Sequence, residues 1–337
     1  MRAQVGKEQA GMKILVTGAA GYIGSVVTEL LIGEGHDIVG LDDLSGGHRA
    51  AVHPAARFVQ LNLLDGEGLK ALFAAEKFDA VVHLAAKALI DESVRNPGIF
   101  FQVNITGGIN LLEAMIANDV KRIVFSSTAA TYGQPEQIPI VEDAPKNPVN
   151  SYGESKLAFE RIMAWYRRSY GLNHVSLRYF NAAGATEERG EWHIPETHLI
   201  PIVFEAALGE REAMKLFGTD WETRDGTCVR DYVHVVDIAG AHILALNQID
   251  TLGARAYNLG HGSGYSNLEV IEAVRKVTGR EVKVIPTDRR PGDPATLIAS
   301  SDLIRSELGW SPKYPDLETI IETAWRWRQK HPRGYAE

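Results

Sequence analysis

The sequence contains very little cysteine: Cys228 is the single one among 337 residues. One thiol cannot close an intrachain disulfide, and it cannot supply the cysteine clusters of structural zinc sites. Proteins without disulfides are typical of reducing compartments, so we expect a cytoplasmic protein.

Positive charge is also scarce. The chain carries 35 Lys and Arg residues against 43 Asp and Glu residues, so its formal net charge is −8. Binding to a nucleic-acid backbone usually requires a surplus of Lys and Arg. We therefore expect no nucleic-acid partner.

Long hydrophobic segments are missing as well. No uninterrupted apolar run approaches the roughly 18 residues that cross a bilayer, so we expect no membrane partner. The polar start of the chain lacks the apolar core of a signal peptide, and we interpret residues 1–11 as a disordered extension.

No H-E-x-x-H spacing surrounds His193 or His198, so we expect no metal site.

Two periodicities alternate along the first half of the chain. Short apolar runs predict strands at 13–18, 37–43, 56–63, 79–86, 121–128 and 174–181. Helical spacing predicts helices between and after them, at 21–35, 68–78, 107–119 and 152–171. Alternating strands and helices indicate an α/β fold, and we predict a Rossmann-type doubly wound parallel sheet with helices on both faces.

The pattern loosens after residue 181, which predicts a second domain. A later strand at 254–260 is predicted to return to the first sheet, so we expect the two domains to be interleaved. The first domain then comprises 12–181 and about 231–262. The smaller α/β domain, which we expect to bind the substrate, takes the remaining residues, 182–230 and 263–337.

The segment TGAAGYIG (17–24) places Gly18, Gly21 and Gly24 between a predicted strand and a predicted helix. Glycines at such a turn let the backbone approach a pyrophosphate, which the positive end of the helix attracts. Asp42 and Asp43 end the next strand, where a carboxylate accepts hydrogen bonds from the adenosine ribose and repels a 2′-phosphate. The alternative is an ordinary tight turn beside an acidic loop, but the strand–turn–helix context favours binding of NAD over NADP.

The segment SYGESK (151–156) places Tyr152 and Lys156 four residues apart, on one face of a predicted helix. Spacing alone favours an ordinary amphipathic helix. Together with the glycine-rich turn, however, the pair indicates a phenol that exchanges protons with a sugar hydroxyl. We expect the ammonium of Lys156 to lower the pKa of the phenol, because a nearby positive charge favours the phenolate.

This combination resembles the extended short-chain dehydrogenase/reductase family. In that family a Ser or Thr at the end of an earlier strand joins the Tyr–Lys pair, and Thr128 in SSTAATYG (126–133) takes that place. Relatives that dehydrate or decarboxylate sugar nucleotides carry acidic residues directly after this hydroxyl. Here Ala129 and Ala130 follow it, and methyl groups cannot transfer protons, so simple reversible oxidation at carbon is favoured.

From Met12 to HPRGY (331–335) the chain is similar to the sugar-nucleotide 4-epimerases of this family. The further motifs are LRYFNAAGA, ETHLIP, DGTCVRDYVHV, YNLG and RRPGD. The resemblance implies a tightly held NAD, a transient 4-keto sugar and reversible interconversion of UDP-galactose and UDP-glucose. It also implies a homodimer, formed through the helix that bears Tyr152 and the helix before Lys121.

The resemblance assigns roles to individual residues. It implies catalysis by Tyr152, Lys156 and Thr128. It implies NAD binding by Gly18, Gly21, Tyr22, Ile23, Gly24, Asp42, Asp43, Asn62, Leu63, Leu84, Ala85, Ala86, Asn104, Ser126, Tyr152, Lys156, Tyr179 and Phe180. It implies substrate binding by Thr128, Tyr152, Asn181, His198, Leu199, Phe217, Arg230, Arg290, Asp293 and Leu297.

Four of these positions carry specific expectations. Arg230 and Arg290 resemble a diphosphate clamp, since planar guanidinium groups bind phosphate bidentately. Leu297 takes the place of a residue beside the sugar 2-substituent, and its bulk favours UDP-glucose and UDP-galactose over N-acetylated sugars. Asn62 stands where many relatives have Asp near the adenine, which weakens one contact.

Three other functions stay open. The same chemistry could act on another UDP-sugar, either UDP-glucuronate or a UDP-pentose, because the sequence does not reveal which side chains face C6. A simple dehydrogenase or reductase would release its cofactor, whereas the ETHLIP and RRPGD motifs favour a nucleotide-sugar enzyme. A non-enzymatic NAD-binding regulator on this fold typically lacks the Tyr or the Lys, and both are present here.

Overall fold

The structure is a computed structural model that describes residues 11–290 and 292–336. Residues 1–10 hold nearly all of the expected N-terminal extension and lie outside the described residues, so that expectation stays a prediction. The strands are β1 (Lys13–Thr17), β2 (Asp37–Asp42), β3 (Arg57–Gln60), β4 (Ala80–His83), β5 (Arg122–Thr128), β6 (Asn173–Tyr179), β7 (Asn181–Ala183), β8 (Met214–Phe217), β9 (Val229–Arg230), β10 (Tyr232–His234), β11 (Ala254–Leu259), β12 (Tyr265–Ser266), β13 (Val284–Thr287) and β14 (Thr296–Leu297).

The helices occupy the connections between these strands. They are α1 (Tyr22–Gly33), α2 (Gly66–Ala75), α3 (Ile90–Arg95), α4 (Pro97–Phe101), α5 (Gly107–Ala117), α6 (Ser151–Tyr170), α7 (Leu199–Leu208), α8 (Val235–Leu252), α9 (Asn267–Thr278), α10 (Asp302–Leu308) and α11 (Leu317–Lys330). A π-helical turn at Gln102–Thr106 joins α4 to α5, and 3₁₀ turns lie at Arg49–Ala51 and Ala129–Thr131.

A seven-stranded parallel sheet forms the centre of the chain, in the order β11-β6-β5-β4-β1-β2-β3. The register of β11 on β6 runs from Ala254 opposite His174 to Leu259 opposite Tyr179, which confirms the predicted return of this strand to the first sheet. The strand order reverses between β1 and β4, where such sheets bind dinucleotides at the carboxyl ends of the strands. The fold is therefore the predicted Rossmann-type α/β fold.

Two apolar cores cover the two faces of the sheet. Along β1, Ile14 and Val16 face the first core, which α1 and α8 complete, and Leu15 faces the second core, which α2, α5 and α6 complete. This alternation follows from the two-residue period of a strand. Because both faces are covered, the strands are apolar on both sides, as parallel sheets require.

A third apolar core lies in the second half of the chain. It joins α7, β8, α9 and α11 through buried side chains such as Val203, Leu216 and Ile321. Helix α10 departs from the predicted division into domains. Its Ile304 and Leu308 pack into the first core against the sheet, although they fall in the segment 263–337 that was assigned to the second domain.

One helical segment bears on the expected absence of a membrane partner. The 21 residues Pro97–Ala117 are long and apolar enough to cross a membrane by length and composition, with a mean hydropathy of 1.3. However, 44% of its most apolar 18-residue stretch is buried inside the protein, and the buried core helix of a soluble protein has the same length and composition. The segment is therefore weak evidence for a membrane span.

The long helix α6 begins and ends with clear capping signals. The Asn150 side chain accepts a hydrogen bond from the backbone N–H of Gly153 at 2.8 Å. The helix ends at Gly171, whose φ of 76° is the left-handed conformation that favours glycine. These boundaries place Tyr152 in the first turn of α6 and Lys156 one turn later.

Candidate active site

The glycine-rich turn joins β1 to α1 through backbone contacts that exclude side chains. Gly18 has a φ of 76°, and a Cβ placed on Gly24 would lie only 1.9 Å from the carbonyl oxygen of Gly18. Gly21 is the N-cap of α1, no side chain caps this helix end, and its first turn contains no acidic residue. The uncapped first-turn N–H groups, including those of Tyr22 and Ile23, therefore fit the pyrophosphate of NAD.

Two carboxylates lie beside this turn, at the end of β2. The oxygens of the buried Asp42 accept hydrogen bonds from the N–H groups of Ala20 at 3.0 Å and Leu44 at 2.8 Å. Burial raises the pKa of Asp42, although these two bonds act in the opposite direction. Asp43 accepts a hydrogen bond from the Asn62 amide at 2.7 Å. The two predicted ribose ligands and the predicted adenine neighbour thus lie together.

The segment that follows β4 packs directly on the glycine-rich turn. The N–H of Leu84 donates to the carbonyl of Thr17 at 3.1 Å, and the N–H of Ala85 lies 3.3 Å from the Thr17 hydroxyl oxygen. A Cβ on Gly18 would lie 2.7 Å from the Ala85 nitrogen. Leu84 and Ala85, with Ala86 after them, therefore border the crevice next to the turn.

Two predicted NAD-binding residues, Asn104 and Leu63, contact other parts of the protein through their side chains. The Asn104 amide donates to the Ser155 hydroxyl at 2.9 Å and to the Lys87 carbonyl at 3.0 Å, and it accepts from the Lys87 N–H at 2.8 Å. Asn104 therefore holds the segment after β4 against α6. The side chain of Leu63 lies in the second apolar core, so only its backbone is available to a cofactor.

Lys156 connects α6 to the sheet. Its side chain is 3% exposed, and its ammonium donates to the carbonyl oxygen of Ser126 at 2.8 Å. Burial lowers the pKa of Lys156 to about 7, although the charge of Glu160 raises it. The bond fixes α6 relative to β5, and the lowered pKa leaves the ammonium only partly charged at neutral pH.

Without bound NAD, Lys156 does not lower the pKa of Tyr152, so that expectation is wrong for the protein alone. Burial raises the pKa of Tyr152, and a hydrogen bond with Thr128 offsets only part of that rise. The ammonium nitrogen of Lys156 lies 6.0 Å from the centre of the Tyr152 ring, and its own lowered pKa reduces its charge. The structure nevertheless brings the three predicted catalytic residues together, with Thr128 at the end of β5.

Ser126, Tyr179 and Phe180 come from the neighbouring ends of β5 and β6. The Ser126 hydroxyl lies 2.9 Å from Nε2 of His242. Burial lowers the pKa of His242 to about 4, and its Nδ1 bonds to a carbonyl of its own helix, so the neutral ring accepts from Ser126 through Nε2. Burial also raises the pKa of Tyr179, which lies beside Tyr152. Sequence analysis missed His242 because no local pattern links it to β5.

Five of the predicted substrate-binding residues converge on one patch. The pairing of β9 with β14 places Leu297 opposite Arg230. Asp293 accepts a hydrogen bond from Nε of Arg290 at 3.0 Å, and its other oxygen lies 3.9 Å from the Arg230 guanidinium. The Arg290 guanidinium lies 4.9 Å from the centre of the Phe217 ring. We call these residues the arginine patch; its two guanidinium groups and one carboxylate leave it with a positive charge.

The remaining predicted substrate residues lie where strands and helices begin. The Asn181 amide donates to the carbonyl of Asp231 at 2.8 Å, which fixes β7 beside β10 and leaves the Asn181 side-chain oxygen free of protein donors among the described residues. His198 is the N-cap of α7, and Leu199 is the first residue of that helix. All three are partly exposed.

The structure also assembles a cluster that the sequence analysis did not anticipate. Glu191, His193, Glu196 and His198 each offer one ligand atom, and these atoms all lie within 4.8 Å of one another. The search for H-E-x-x-H could not find them, because that spacing applies to a helix and these residues lie in an irregular loop before α7. The expectation of no metal site rested on the missing H-E-x-x-H motif alone, and this cluster has a different spacing.

Residues 14–260 match the model of the NAD dependent epimerase/dehydratase family. The chain belongs to this family. Its members are NAD-dependent, so NAD is the cofactor that the uncapped end of α1 accommodates. The family match and the assembled Tyr–Lys–Thr set together identify an enzyme of the epimerase class.

Relatives match over nearly the whole chain. The UDP-glucose 4-epimerase of Lacticaseibacillus casei is 52% identical over 97% of this chain and 99% of that protein. The UDP-glucose 4-epimerase of Streptomyces lividans is 47% identical over 96% of this chain and 98% of that protein. The crystal structure of UDP-glucose 4-epimerase from Brucella ovis in complex with NAD is 43% identical, with a TM-score of 0.91 over 94% of this chain and 98% of that chain.

The Gly24–Gly18 contact generates a first prediction. Gly24→Ala places a methyl group against the carbonyl oxygen of Gly18, so α1 must move and its N-terminus no longer meets the pyrophosphate. We expect at least about a 10-fold loss of NAD affinity, measured as NAD retained by the purified protein. Gly33→Ala is the matched control, because a Cβ there meets no atom within 4 Å and should leave NAD binding unchanged. Equal NAD content in both variants would contradict the assignment.

The buried Lys156 generates a second prediction. In the unfolded chain its pKa is about 10.4, whereas in the folded chain burial lowers it to about 7. The unfolded state therefore binds more protons between these values, so the contribution of Lys156 to the free energy of unfolding rises with pH from 7 to 10. Lys156→Met removes this dependence.

The measurement is urea unfolding of NAD-free protein at several pH values between 7 and 10. We expect the stability of the unsubstituted protein, relative to Lys156→Met, to rise by at most about 1.4 kcal/mol per pH unit. The exposed Lys77→Met serves as the control for general effects of pH. If the difference in the free energy of unfolding between the unsubstituted protein and Lys156→Met stays constant with pH, Lys156 does not titrate between pH 7 and 10.

Proposed function

We propose that this protein interconverts UDP-galactose and UDP-glucose by transient oxidation at C4 of the sugar, with NAD held tightly throughout. The observation that carries the proposal is the assembly of Tyr152, Thr128 and Lys156 at the end of β5, next to the crevice that the glycine-rich turn borders. Similar proteins of the same length are named UDP-glucose 4-epimerase, and a solved relative from Thermotoga maritima, 31% identical with a TM-score of 0.84, is described with UDP-glucose.

Tyr152 is the proposed acid and base. Its phenolate accepts the proton of the sugar C4 hydroxyl, directly or through the hydroxyl of Thr128, and returns that proton at the end of the reaction. A bound NAD would supply the acceptor for the hydride from C4 and the donor that returns it to the opposite face of the 4-keto sugar. Lys156 keeps N–H groups beyond the one that binds Ser126, and we assign these to the ribose of the nicotinamide.

The arginine patch is the proposed site for the uridine diphosphate. Arg230 and Arg290 supply donors for the diphosphate, and Phe217 supplies an apolar face for the base. Binding of the diphosphate would compete with Asp293 for the guanidinium of Arg290, which leaves Asp293 available to the uridine ribose. A substrate held by its nucleotide leaves the sugar free to turn over between the two half-reactions.

The residues after Thr128 support epimerisation over elimination. Ala129 and Ala130 form the 3₁₀ turn that follows β5, and neither side chain can transfer a proton. Dehydration needs an additional acid and base near the sugar. The chain therefore has the groups for reversible oxidation at C4 and lacks them at the position where eliminating relatives carry Asp and Glu.

The direct test is an assay of purified protein with UDP-galactose and no added cofactor, in which UDP-glucose formation is followed. We expect conversion from copurified NAD, and Tyr152→Phe should lower the rate at least about 100-fold. Tyr166→Phe is the matched control, because Tyr166 lies far along α6 from Tyr152 and its hydroxyl bonds to Glu113 of the neighbouring helix α5, so the rate should not change.

Other outcomes of this assay separate the alternatives. Conversion of UDP-glucuronate or a UDP-pentose in place of UDP-galactose would keep the chemistry and change the substrate. We expect UDP-N-acetylgalactosamine to react poorly, because Leu297 is bulky and its strand lies against Arg230. No conversion of any UDP-sugar by protein that contains NAD would overturn the proposed function.

We further propose a homodimer formed through α5 and α6. Trp165 on α6 is 63% exposed, and Phe101, which precedes α5, is 38% exposed. Exposed aromatic side chains are typical of protein interfaces. The Tyr166 hydroxyl bonds to Glu113 and holds α6 to α5, so the two helices present a joint surface. Light scattering of the purified protein should give twice the mass of the chain, and a single monomeric species would rule the dimer out.

Two more expectations stay proposals. We propose a cytoplasmic location, which cell fractionation tests.

We also propose the interleaved division into an NAD-binding domain of 12–181 with 231–262 and a substrate-binding domain of 182–230 with 263–337, except that α10 packs with the first domain. The three apolar cores support this division, and proteolysis in the presence and absence of NAD tests it.

A further inference from the structure

The cluster in the loop before α7 has a geometry that hydrogen bonding alone does not explain. Nδ1 of His198 lies 2.8 Å from an oxygen of Glu191 and 3.3 Å from an oxygen of Glu196. Nδ1 of His193 lies 3.5 Å from Glu191 and 3.7 Å from Glu196, too far for good hydrogen bonds. This nitrogen is shielded from solvent and has no hydrogen-bond partner among the described residues.

The spacing of the four groups fits a tetrahedral ion. Zinc binds histidine nitrogen and carboxylate oxygen at about 2.0–2.2 Å, which in a tetrahedron separates the ligand atoms by about 3.3–3.6 Å. The four nitrogen–oxygen separations in the cluster run from 2.8 to 3.7 Å, close to that distance, and all four ligand atoms lie within 4.8 Å of one another, so the side chains would draw slightly closer around an ion. Both imidazoles point Nδ1 toward the carboxylates, so one ion between them would reach all four residues.

The charge of the cluster also calls for a cation. The Glu191 and Glu196 side chains are 10% and 5% exposed, and no Lys or Arg pairs with either one among residues 11–290 and 292–336. Burial of two adjacent carboxylates is costly without positive charge nearby.

We propose that Glu191, His193, Glu196 and His198 bind one zinc ion. Two imidazole and two carboxylate ligands without cysteine suit zinc better than calcium or magnesium, which prefer oxygen alone. Four protein ligands leave no open position, so the ion is structural. The site shares His198 with the predicted substrate-binding residues, but zinc binding itself does not require the proposed epimerase activity.

The ion would fix the start of α7. His198 is the N-cap of that helix, and Glu196 accepts hydrogen bonds from the N–H groups of Thr197 at 2.7 Å and His198 at 2.8 Å. A metal on Nδ1 of His198 also fixes its tautomer, because the proton then resides on Nε2. Nε2 of this half-exposed ring would remain a hydrogen-bond donor next to Leu199, the first residue of α7.

The test is the metal content of the full-length protein after exposure to zinc and removal of the excess. We expect about one zinc per chain, and His193→Gln should lower zinc affinity by more than about 100-fold, since it removes a direct ligand. His53→Gln is the matched control, because His53 lies in another loop and its ring accepts a hydrogen bond from the nearby N–H of Ala55. Cobalt should replace zinc and give the strong visible absorption of a four-coordinate site, which His193→Gln should abolish.

A second measurement uses the unsubstituted protein and does not depend on the folding of a variant. A chelator should lower the midpoint of thermal unfolding, and zinc, but not magnesium, should restore it. No bound zinc together with no shift on chelation would overturn the proposal and leave the cluster as an ion-pair network of protonated histidines. Equal zinc content in His193→Gln and His53→Gln would also overturn it. None of these readouts involves turnover, so a failure of the proposed function and a failure of this site are distinguishable.

Discussion

The carboxyl ends of parallel strands must lie along one edge of their sheet, and this constraint brings together the groups of the candidate active site that end or follow those strands. Gly18 follows β1, Asp42 ends β2, Leu84 follows β4 and Thr128 ends β5. The central strands cannot shift in register, because apolar cores cover both faces of the sheet there and a shift would expose buried side chains. Residues that are distant in sequence are therefore held in one rigid crevice.

Burial controls the electrostatics of the proposed catalytic groups in the crevice. The ammonium of Lys156 is buried against the Ser126 carbonyl, and burial acts on Lys156 and Tyr152 in opposite directions, lowering the pKa of the first and raising that of the second. Both groups are thereby moved toward their neutral forms. A positive charge beside the phenol reverses the effect on Tyr152. We infer that the phenol becomes an effective base only when the oxidised cofactor is in place.

The second half of the chain contributes through loops and short strands. Arg230 and Leu297 are brought together by a two-residue pairing of β9 with β14, and Asp293 links Arg230 to Arg290. Helix α7 adjoins the cluster of histidines and glutamates, since His198 belongs to the cluster and is also the N-cap of the helix. A movement of α7 would therefore move both the predicted substrate residue Leu199 and the proposed zinc ligand His198.

The sequence by itself determined the α/β fold, the NAD-binding turn and the Tyr152–Lys156 pair, because strand and helix periods, glycine requirements and helical spacing are local properties. Only the tertiary structure decided how Lys156 is buried, and with it the direction of the Tyr152 pKa, since burial depends on packing between distant segments. The same holds for His242 behind Ser126, for α10 on the first core and for the cluster around Glu191. Their partners are set by the folding of loops and helices onto one another, which no spacing along the chain encodes.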